Sequence, residues 1–397
     1  MKRLLAAILT LGVLSPATHA QSNDFETWLN SFRAEASAAG VSDAVMDEAF
    51  AGVTINQRVF ELNDNQPEFT RAIWDYLDTA VSERKVADGK ASLTENRIAL
   101  SLIESAYGVN AETIVAIWGL ESAYGKILGD YDAIQALATL GYEGRRTAYG
   151  RSQLIGALKI IQNGYADRDQ LKGSWAGAMG HTQFIPTTYL AYAVDHNGDG
   201  HRDIWSDLGD VFASTANYLS VSGYDKDAPW GLEARLPSDF DYGLAGTSAK
   251  KPIVEWASLG IEAVRGDMLT EFDPNLRGRL ILPAGARGPA FLVFENFEAI
   301  LKYNRSTAYA LAVSMLSDEI AGRNGRAATL WPREDRPLTL DERKALQRAL
   351  ADLGYNPGPI DGIVGAGTKS ALKKWQKNTG RPADGYASAA VLEALRQ

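Results

Sequence analysis

The chain is 397 residues long, enough for about two or three domains with real cores. Hydrophobic residues make up 46% and charged residues 22%, the profile of an ordinary globular protein, which excludes disordered and fibrous classes. Lys+Arg 40 against Asp+Glu 49 gives a net charge of −9, which argues against nucleic acid or anionic lipid as the main partner. Cysteine is absent, so disulfides, thiolate metal sites and a cysteine nucleophile are excluded, and four histidines argue against a multi-histidine metal centre.

Lys2 and Arg3 precede the apolar run Leu4–Leu14, which is followed by Ser15-Pro-Ala-Thr-His-Ala20. A charged start, an apolar stretch too short to span a bilayer and a small residue at its end read as a secretory signal peptide, residues 1–20, rather than an anchor. Its removal takes two cations and no acid, moving the net charge from −9 to −11. A secretory leader on a chain without cysteine points to a bacterial periplasm, with no membrane span after cleavage. A lipid anchor would need a cysteine that is not there.

Residues 22–100 carry helical periodicity, with Phe25, Trp28, Leu29 and Phe32 on one stripe. Helical stretches continue from Ala111 to about Ser220, broken by Gly-rich turns. Over about 225–290 Pro and Gly become frequent, and Arg279–Leu282 and Phe291–Phe294 predict short strands. Helical pattern returns over Phe297–Ile320. The Pro- and charge-rich run Trp331-Pro-Arg-Glu-Asp-Arg-Pro337 then predicts a linker before a last small domain.

Within the apolar segment 113–125, Glu121 is the lone acid. On a helix it shares a face with Ile114, Ile117, Trp118 and Tyr124. Such a carboxyl is half buried among aromatic rings, and desolvation raises its pKa toward that of a general acid working near neutrality. Gly125 predicts the helix stop, which puts Glu121 in the last turn, where the negative end of the dipole raises the pKa further. A snorkelling helix-end glutamate fits the residue types equally well.

The segment from Gly173 to Tyr189 is rich in small residues and offers Trp175 and Phe184 for stacking and Gln183 for hydroxyl or amide groups. That composition suits a saccharide groove, and taken alone also suits a tight helix-packing loop.

Gly119-Leu-Glu121-Ser-Ala-Tyr-Gly125, Ala176-Gly-Ala-Met-Gly-His-Thr-Gln-Phe-Ile-Pro186, Ala213-Ser-Thr-Ala-Asn-Tyr218 and Tyr303-Asn-Arg-Ser-Thr-Ala-Tyr309 follow in order. Together they resemble the membrane-bound lytic murein transglycosylase B family over roughly residues 22–325. The resemblance implies a mainly α chain: a lysozyme-like α+β catalytic core, a helical N-terminal region and a small β-rich insertion, spanning 21–325. It implies cleavage of the β-1,4 bond between N-acetylmuramic acid and N-acetylglucosamine in peptidoglycan strands, leaving a 1,6-anhydro end. It implies that Glu121 serves as acid and then as base, with the substrate's N-acetyl group assisting, so that no second carboxylate is needed, unlike in ordinary glycosidases. Ser174, Met179, Gln183, Tyr218, Tyr303 and Tyr309 match groove positions of the family, while Tyr303 and Tyr309 also fit simple core aromatics. No cofactor is implied for the chemistry. A muramidase using water on the same bond, or a non-catalytic wall-binding scaffold recruiting other cell-wall enzymes, are the competing readings.

Asp195-His-Asn197-Gly-Asp199-Gly200-His201-Arg-Asp203-Ile204 places oxygens at positions 1, 3 and 5 of a calcium-type loop, glycine at 6 and the His201 carbonyl at 7. Position 12 is Ser206, so the clamp falls to Asp207 or Asp210, and the family's similar loop favours Asp210. Structural Ca2+ is expected here, with an unoccupied Asn/Asp/Gly turn as the alternative.

Beyond the linker, 326–337, residues 338–397 resemble the common peptidoglycan-binding domain, a three-helix module. Asp361-Gly362 predicts a turn and Thr368 a cap for the helix carrying Leu372 and Trp375, both expected in its core. Tethering to the polymer would raise the local substrate concentration.

Overall fold

The computed structural model describes residues 16–64, 71–266 and 268–397, with side chains from Asp24 onward. The first fifteen residues of the expected signal peptide lie outside that part. In chain order the elements are α1 (Pro16–Ala38), α2 (Asp43–Phe50), α3 (Gln57–Asp64), α4 (Ile73–Ala80), α5 (Glu83–Glu95), α6 (Arg97–Tyr107), α7 (Ala111–Ser122), β1 (Tyr131–Asp132), α8 (Ala133–Tyr142), α9 (Thr147–Gln162), β2 (Lys172–Gly173) and α10 (Pro186–Tyr192). They continue with α11 (Leu208–Val221), β3 (Gly231–Arg235), β4 (Lys251–Pro252), α12 (Ile253–Ser258), β5 (Glu262–Ala263), β6 (Arg277–Ile281), β7 (Ala290–Val293), α13 (Glu295–Tyr303) and α14 (Thr307–Ile320). The last three helices are α15 (Leu340–Asp352), α16 (Ala366–Asn378) and α17 (Ala389–Leu395). Among the described residues no helix is long and apolar enough to cross a membrane.

The chain forms two compact units, the first built from α1 to α3 with the stretches 128–191 and 198–205, the second from the rest. In the first, the α1 stripe behaves as its spacing predicts: Phe25, Leu29 and Phe32 are buried, and Phe25 meets Tyr142 of α8 edge-on at 5.3 Å. Helices α8 and α9 form a hairpin that crosses closely at Gly150, where a Cβ would sit 2.3 Å from the Gly141 backbone nitrogen.

In the second unit, α7 is buried at Ala111 and from Thr113 through Gly119 and packs against α14, α5, α6 and α11. A helix apolar on every side is a core helix, and this one carries Glu121 in its last turn. The expected strands are β6 and β7, paired in the antiparallel sheet β4-β6-β7-β3-β5 with Leu280 opposite Leu292. The sheet and α12 enclose Trp256, Leu280, Leu292 and Phe294.

The helix expected over Phe297–Ile320 is two helices. α13 stops at Tyr303, and Ser306 caps α14 by accepting from the Tyr309 N–H at 3.3 Å. A serine there competes for backbone donors and restarts the helix, which apolar periodicity does not register.

The C-terminal module is a three-helix bundle around Leu346, Leu350, Leu372, Trp375 and Leu392. Thr368 is not a helix cap. Gly365 holds that position, and Thr368 is buried, donating from its hydroxyl to the Pro357 carbonyl at 3.0 Å. The run Trp331–Pro337 is pinned rather than loose: Trp331 lies in the cluster with Ala72, Trp74 and Ala284, and Arg333 makes a bidentate pair with Asp78 at 2.8 and 3.0 Å. The module is docked as well. Tyr386 joins that cluster, Lys373 Nζ donates to the Ala245 carbonyl at 2.8 Å, and Asp384 accepts from the Ala286 N–H at 2.7 Å.

Candidate active site

Glu121 is half-buried, one residue from the end of α7, above fully buried Ile114 and Ile117. Desolvation pushes its carboxyl up to about 7, against the opposing hydrogen bond donated by the Tyr309 hydroxyl to Oε1 at 2.5 Å. No second carboxylate is among the influences on it within the described residues.

Tyr309 stands in the first turn of α14 and Tyr303 ends α13; their rings stack at 6.5 Å with 9° between planes. Tyr218 of α11 meets Tyr303 edge-on at 4.9 Å and donates to the Lys302 carbonyl at 2.6 Å. Tyr192 meets Tyr218 in turn at 4.5 Å. Burial and the Glu121 charge raise the pKa of both Tyr303 and Tyr309 well above the ordinary value, so they remain neutral donors. The structure thus joins Glu121, Tyr309, Tyr303 and Tyr218, drawn from four helices, in one row. Tyr192 extends it and carried no signal in the sequence, because a lone tyrosine at a helix end reads as an ordinary amphipathic side chain.

The α7 stop differs from the expected one. The helix ends before Gly125, and Ala123 (φ 50), Tyr124 (φ 59) and Gly125 (φ 79) are all left-handed. Tyr124 therefore departs from helical spacing and packs edge-on against Trp118 at 5.7 Å.

In the first unit, Ser174, Met179 and Gln183 occupy one turn. The Ser174 hydroxyl accepts from the Ala178 N–H at 3.1 Å. Gln183 is left-handed (φ 50), half-buried, and donates through Nε2 to the Leu128 and Gly180 carbonyls, each at 3.0 Å. Met179 is fully buried, so it bears on the turn through packing. Phe184, expected as a stacking surface, is 2% exposed and belongs to the core. Trp175 is half-buried beside Tyr149 and Leu140, with the Arg146 guanidinium 5.7 Å from its ring.

The donors expected for a cation at 195–210 are oxygens throughout, the chemistry of a hard ion. They are engaged in turns: Asp210, 1% exposed, accepts from the His196 N–H at 2.7 Å, and Asn197 donates to Asp207 at 2.9 Å. Asp199 accepts from the His201 N–H at 2.8 Å. Among the described residues no three His, Cys, Asp or Glu side chains converge as a metal cluster. Asp207, the other candidate for the clamp, caps α11 by accepting from the Gly209 and Asp210 N–H groups.

A groove of about 920 Å3 runs between the sheet, the module and the start of α14, lined by Arg279, Pro283, Thr307, Lys369, Lys374 and Tyr386 among others.

Residues 24–318 match the model of the transglycosylase SLT domain, and residues 339–395 match that of a peptidoglycan binding domain. The chain is 32% identical over 282 residues to membrane-bound lytic murein transglycosylase B of Escherichia coli (strain K12), covering 66% of this chain and 74% of that one. Its structure is similar to SltB3 from Pseudomonas aeruginosa, solved in complex with NAG-anhNAM-pentapeptide, at a TM-score of 0.90 and 49% identity, over 94% of this chain and 99% of that one. It is also similar to the Escherichia coli lytic transglycosylase Slt35 in complex with calcium, at a TM-score of 0.63 and 30% identity, over 76% and 94%. With the lone acid, the tyrosine row and the C-terminal bundle in place, the chain belongs to the lytic murein transglycosylase family, enzymes that cleave peptidoglycan glycan strands, and it carries a peptidoglycan-binding domain.

Proposed function

We propose that Glu121 is the single acid/base of a reaction cutting the β-1,4 bond between N-acetylmuramic acid and N-acetylglucosamine. The observation that carries this reading is a half-buried carboxyl with its pKa at about 7, held by a neutral tyrosine and with no second carboxylate acting on it among the described residues. Protonated, Glu121 gives its proton to the glycosidic oxygen as the C1–O4 bond breaks, while the substrate's N-acetyl oxygen supports C1. The carboxylate left behind then takes the proton of the muramic C6 hydroxyl, and the C6 oxygen closes on C1 to form the 1,6-anhydro ring. Net, one proton passes from O6 to O4 and Glu121 ends as it began. The Tyr309 donor steadies the carboxylate between the two steps.

Ser174, Met179, Gln183, Tyr218, Tyr303 and Tyr309 are read as the residues that form or support the sugar groove, within a catalytic region of 21–325. Residues 326–337 join it to the wall-binding module, 338–397. The periplasm is the compartment in which such a substrate lies, and a leader over 1–20 would deliver the chain there. Calcium at Asp195, Asn197, Asp199, His201 and Asp210 is supported by the oxygen donors and by the relative solved with calcium. Such an ion would be structural and weakly held, because it has to displace turn hydrogen bonds. A rise in Tm with Ca2+ that Asp210→Ala abolishes tests this, and no shift in either protein counts against it.

The decisive experiment is mass spectrometry of muropeptides released from purified sacculi by wild type and Glu121→Gln. Anhydro-ended products from wild type alone are expected. Reducing-end products would overturn the proposal in favour of water as the nucleophile.

A further inference from the structure

Tyr124 lies three residues beyond Glu121 and is not among the influences on its carboxyl, yet the chain accepts backbone strain to place it. A helix that only needs to stop uses glycine in its first left-handed position. Here the first two left-handed residues are Ala123 and Tyr124, and glycine comes third. Side chains with a Cβ occupy that conformation at a cost and hold it only when their surroundings fix it.

The surroundings do so. The Tyr124 ring fills a slot made by two glycines on different helices: a Cβ at Gly119 of α7 would lie 2.5 Å from the ring, and one at Gly89 of α5 would lie 2.7 Å from the hydroxyl. That hydroxyl donates to the Lys85 carbonyl at 2.7 Å. The turn also leaves the Gly119 carbonyl without its usual amide, because the Ala123 N–H goes to the Trp118 carbonyl instead. The half-buried Lys85 ammonium takes that place, donating to Gly119 at 2.9 Å. Helix α5 is thus tied to the last turn of α7 twice, once through each partner of the Tyr124–Gly119 contact.

We infer that Tyr124 is a positioning residue for Glu121: its ring, wedged between Gly89 and Gly119, locks the left-handed turn and so fixes the direction in which the carboxyl leaves α7. The inference rests on the reading of Glu121 as the acid/base. The groups that face this end of α7 are Tyr309 on α14 and Tyr303 on α13, which keep their protons, and Lys85 on α5. Asp88 of α5 is paired with Lys126 at 2.9 Å.

The test compares Tyr124→Phe, Tyr124→Leu, Gly89→Ala and Gly119→Ala in the full chain, with Glu121→Gln alongside. Turnover on sacculi is measured across pH, and the Glu121 carboxyl is titrated by carbon NMR. Tyr124→Phe keeps the ring and is expected to stay within about threefold of wild type. Tyr124→Leu loses about 100-fold in kcat with KM little changed, since small misplacements of a reacting group cost on that order. Its Glu121 titration moves by about half a pH unit or more. Gly89→Ala, whose Cβ would press on the Ile320 side chain at 2.5 Å and on the Tyr124 hydroxyl at 2.7 Å, moves the titration likewise. So does Gly119→Ala, whose Cβ would meet the Tyr124 ring first, at 2.5 Å, and which serves if Tyr124→Leu fails to fold. Folded variants whose Glu121 titration matches wild type overturn the positioning role. Retained activity in Glu121→Gln would overturn the acid/base reading instead, and the NMR titration separates the two failures.

Discussion

The rings of Tyr303 and Tyr309 lie parallel within 9° although they stand six positions apart in the chain. In one unbroken helix six residues turn through about 600°, which points the two rings to different faces. The break between α13 and α14 folds them together, and the stack ends at the hydrogen bond to Glu121. Tyr309→Phe preserves ring and stack and removes only the donor. That donor holds the Glu121 pKa down against burial, so its loss raises the pKa above about 7. The alkaline limb of the pH profile of kcat/KM on sacculi should move upward by about one unit, the worth of a hydrogen bond to a charged group. A limb that stays put or moves down contradicts the assigned role.

Glu121 also sets a pH dependence of stability. Its folded pKa, about 7, exceeds the ordinary 4.5. Below pH 4.5 both folded and unfolded chains hold the proton and nothing is lost. As the pH climbs from there through about 7 the unfolded chain ionises first, and stability falls by about 3 kcal/mol. Glu121→Gln is therefore expected to match wild type in urea unfolding at pH 4 and to exceed it by that amount at pH 8. Equal midpoints at pH 8 would refute the buried-carboxyl assignment.

Docking of the C-terminal module depends on Lys373 and Tyr386. Burial depresses the Lys373 pKa, so its ammonium leans on the Ala245 and Tyr242 carbonyls for compensation. In the pair Lys373→Met with Tyr386→Ser the module should come loose, and trypsin should cut after Arg333 at least about tenfold faster than in wild type, whereas the Arg336–Pro337 bond resists it in either protein. Equal cleavage rates would show that these two contacts do not hold the module.

The α8–α9 crossing predicts an order of damage. Gly150→Ala places a Cβ 2.3 Å from backbone that cannot yield, whereas at Gly141 the nearest approach is 3.1 Å. Gly150→Ala should cost about 3 kcal/mol and Gly141→Ala clearly less, read from thermal unfolding. Reversal of that order would mean the hairpin adjusts at Gly150.

Glu121 was legible because an acid inside an apolar helical run is a local anomaly, and the two strands at 277–293 were legible from β-branched and aromatic residues between breakers. Tyr124 escapes the sequence because Gly125 marks the stop there and helical spacing carries the face up to it, while the two left-handed non-glycine residues that end the helix earlier have no propensity signature. Thr368 illustrates another limit. Its residue type favours a cap, but the buried Gln347 amide and the Pro357 carbonyl, both distant in sequence, claim its hydroxyl. Phe184 and Met179 sat in a segment whose small residues suggested an open groove, while the pairing of Met179 with Gly173 and Phe184 turns both side chains inward. The 326–337 segment looked like a spacer by composition, and only tertiary partners such as Asp78, Trp74 and Arg287 make it a strap.

That strap changes how wall binding and cutting relate. A module on a slack tether samples a sphere of attachment points and merely keeps the enzyme nearby. A module clasped by Arg333, Trp331 and Tyr386 lies in the same compact unit as the sheet and α14. A stretch of polymer held by a module packed in this way would stand at a set offset from the Tyr309–Glu121 pair, so that the hold would also gauge distance along the wall.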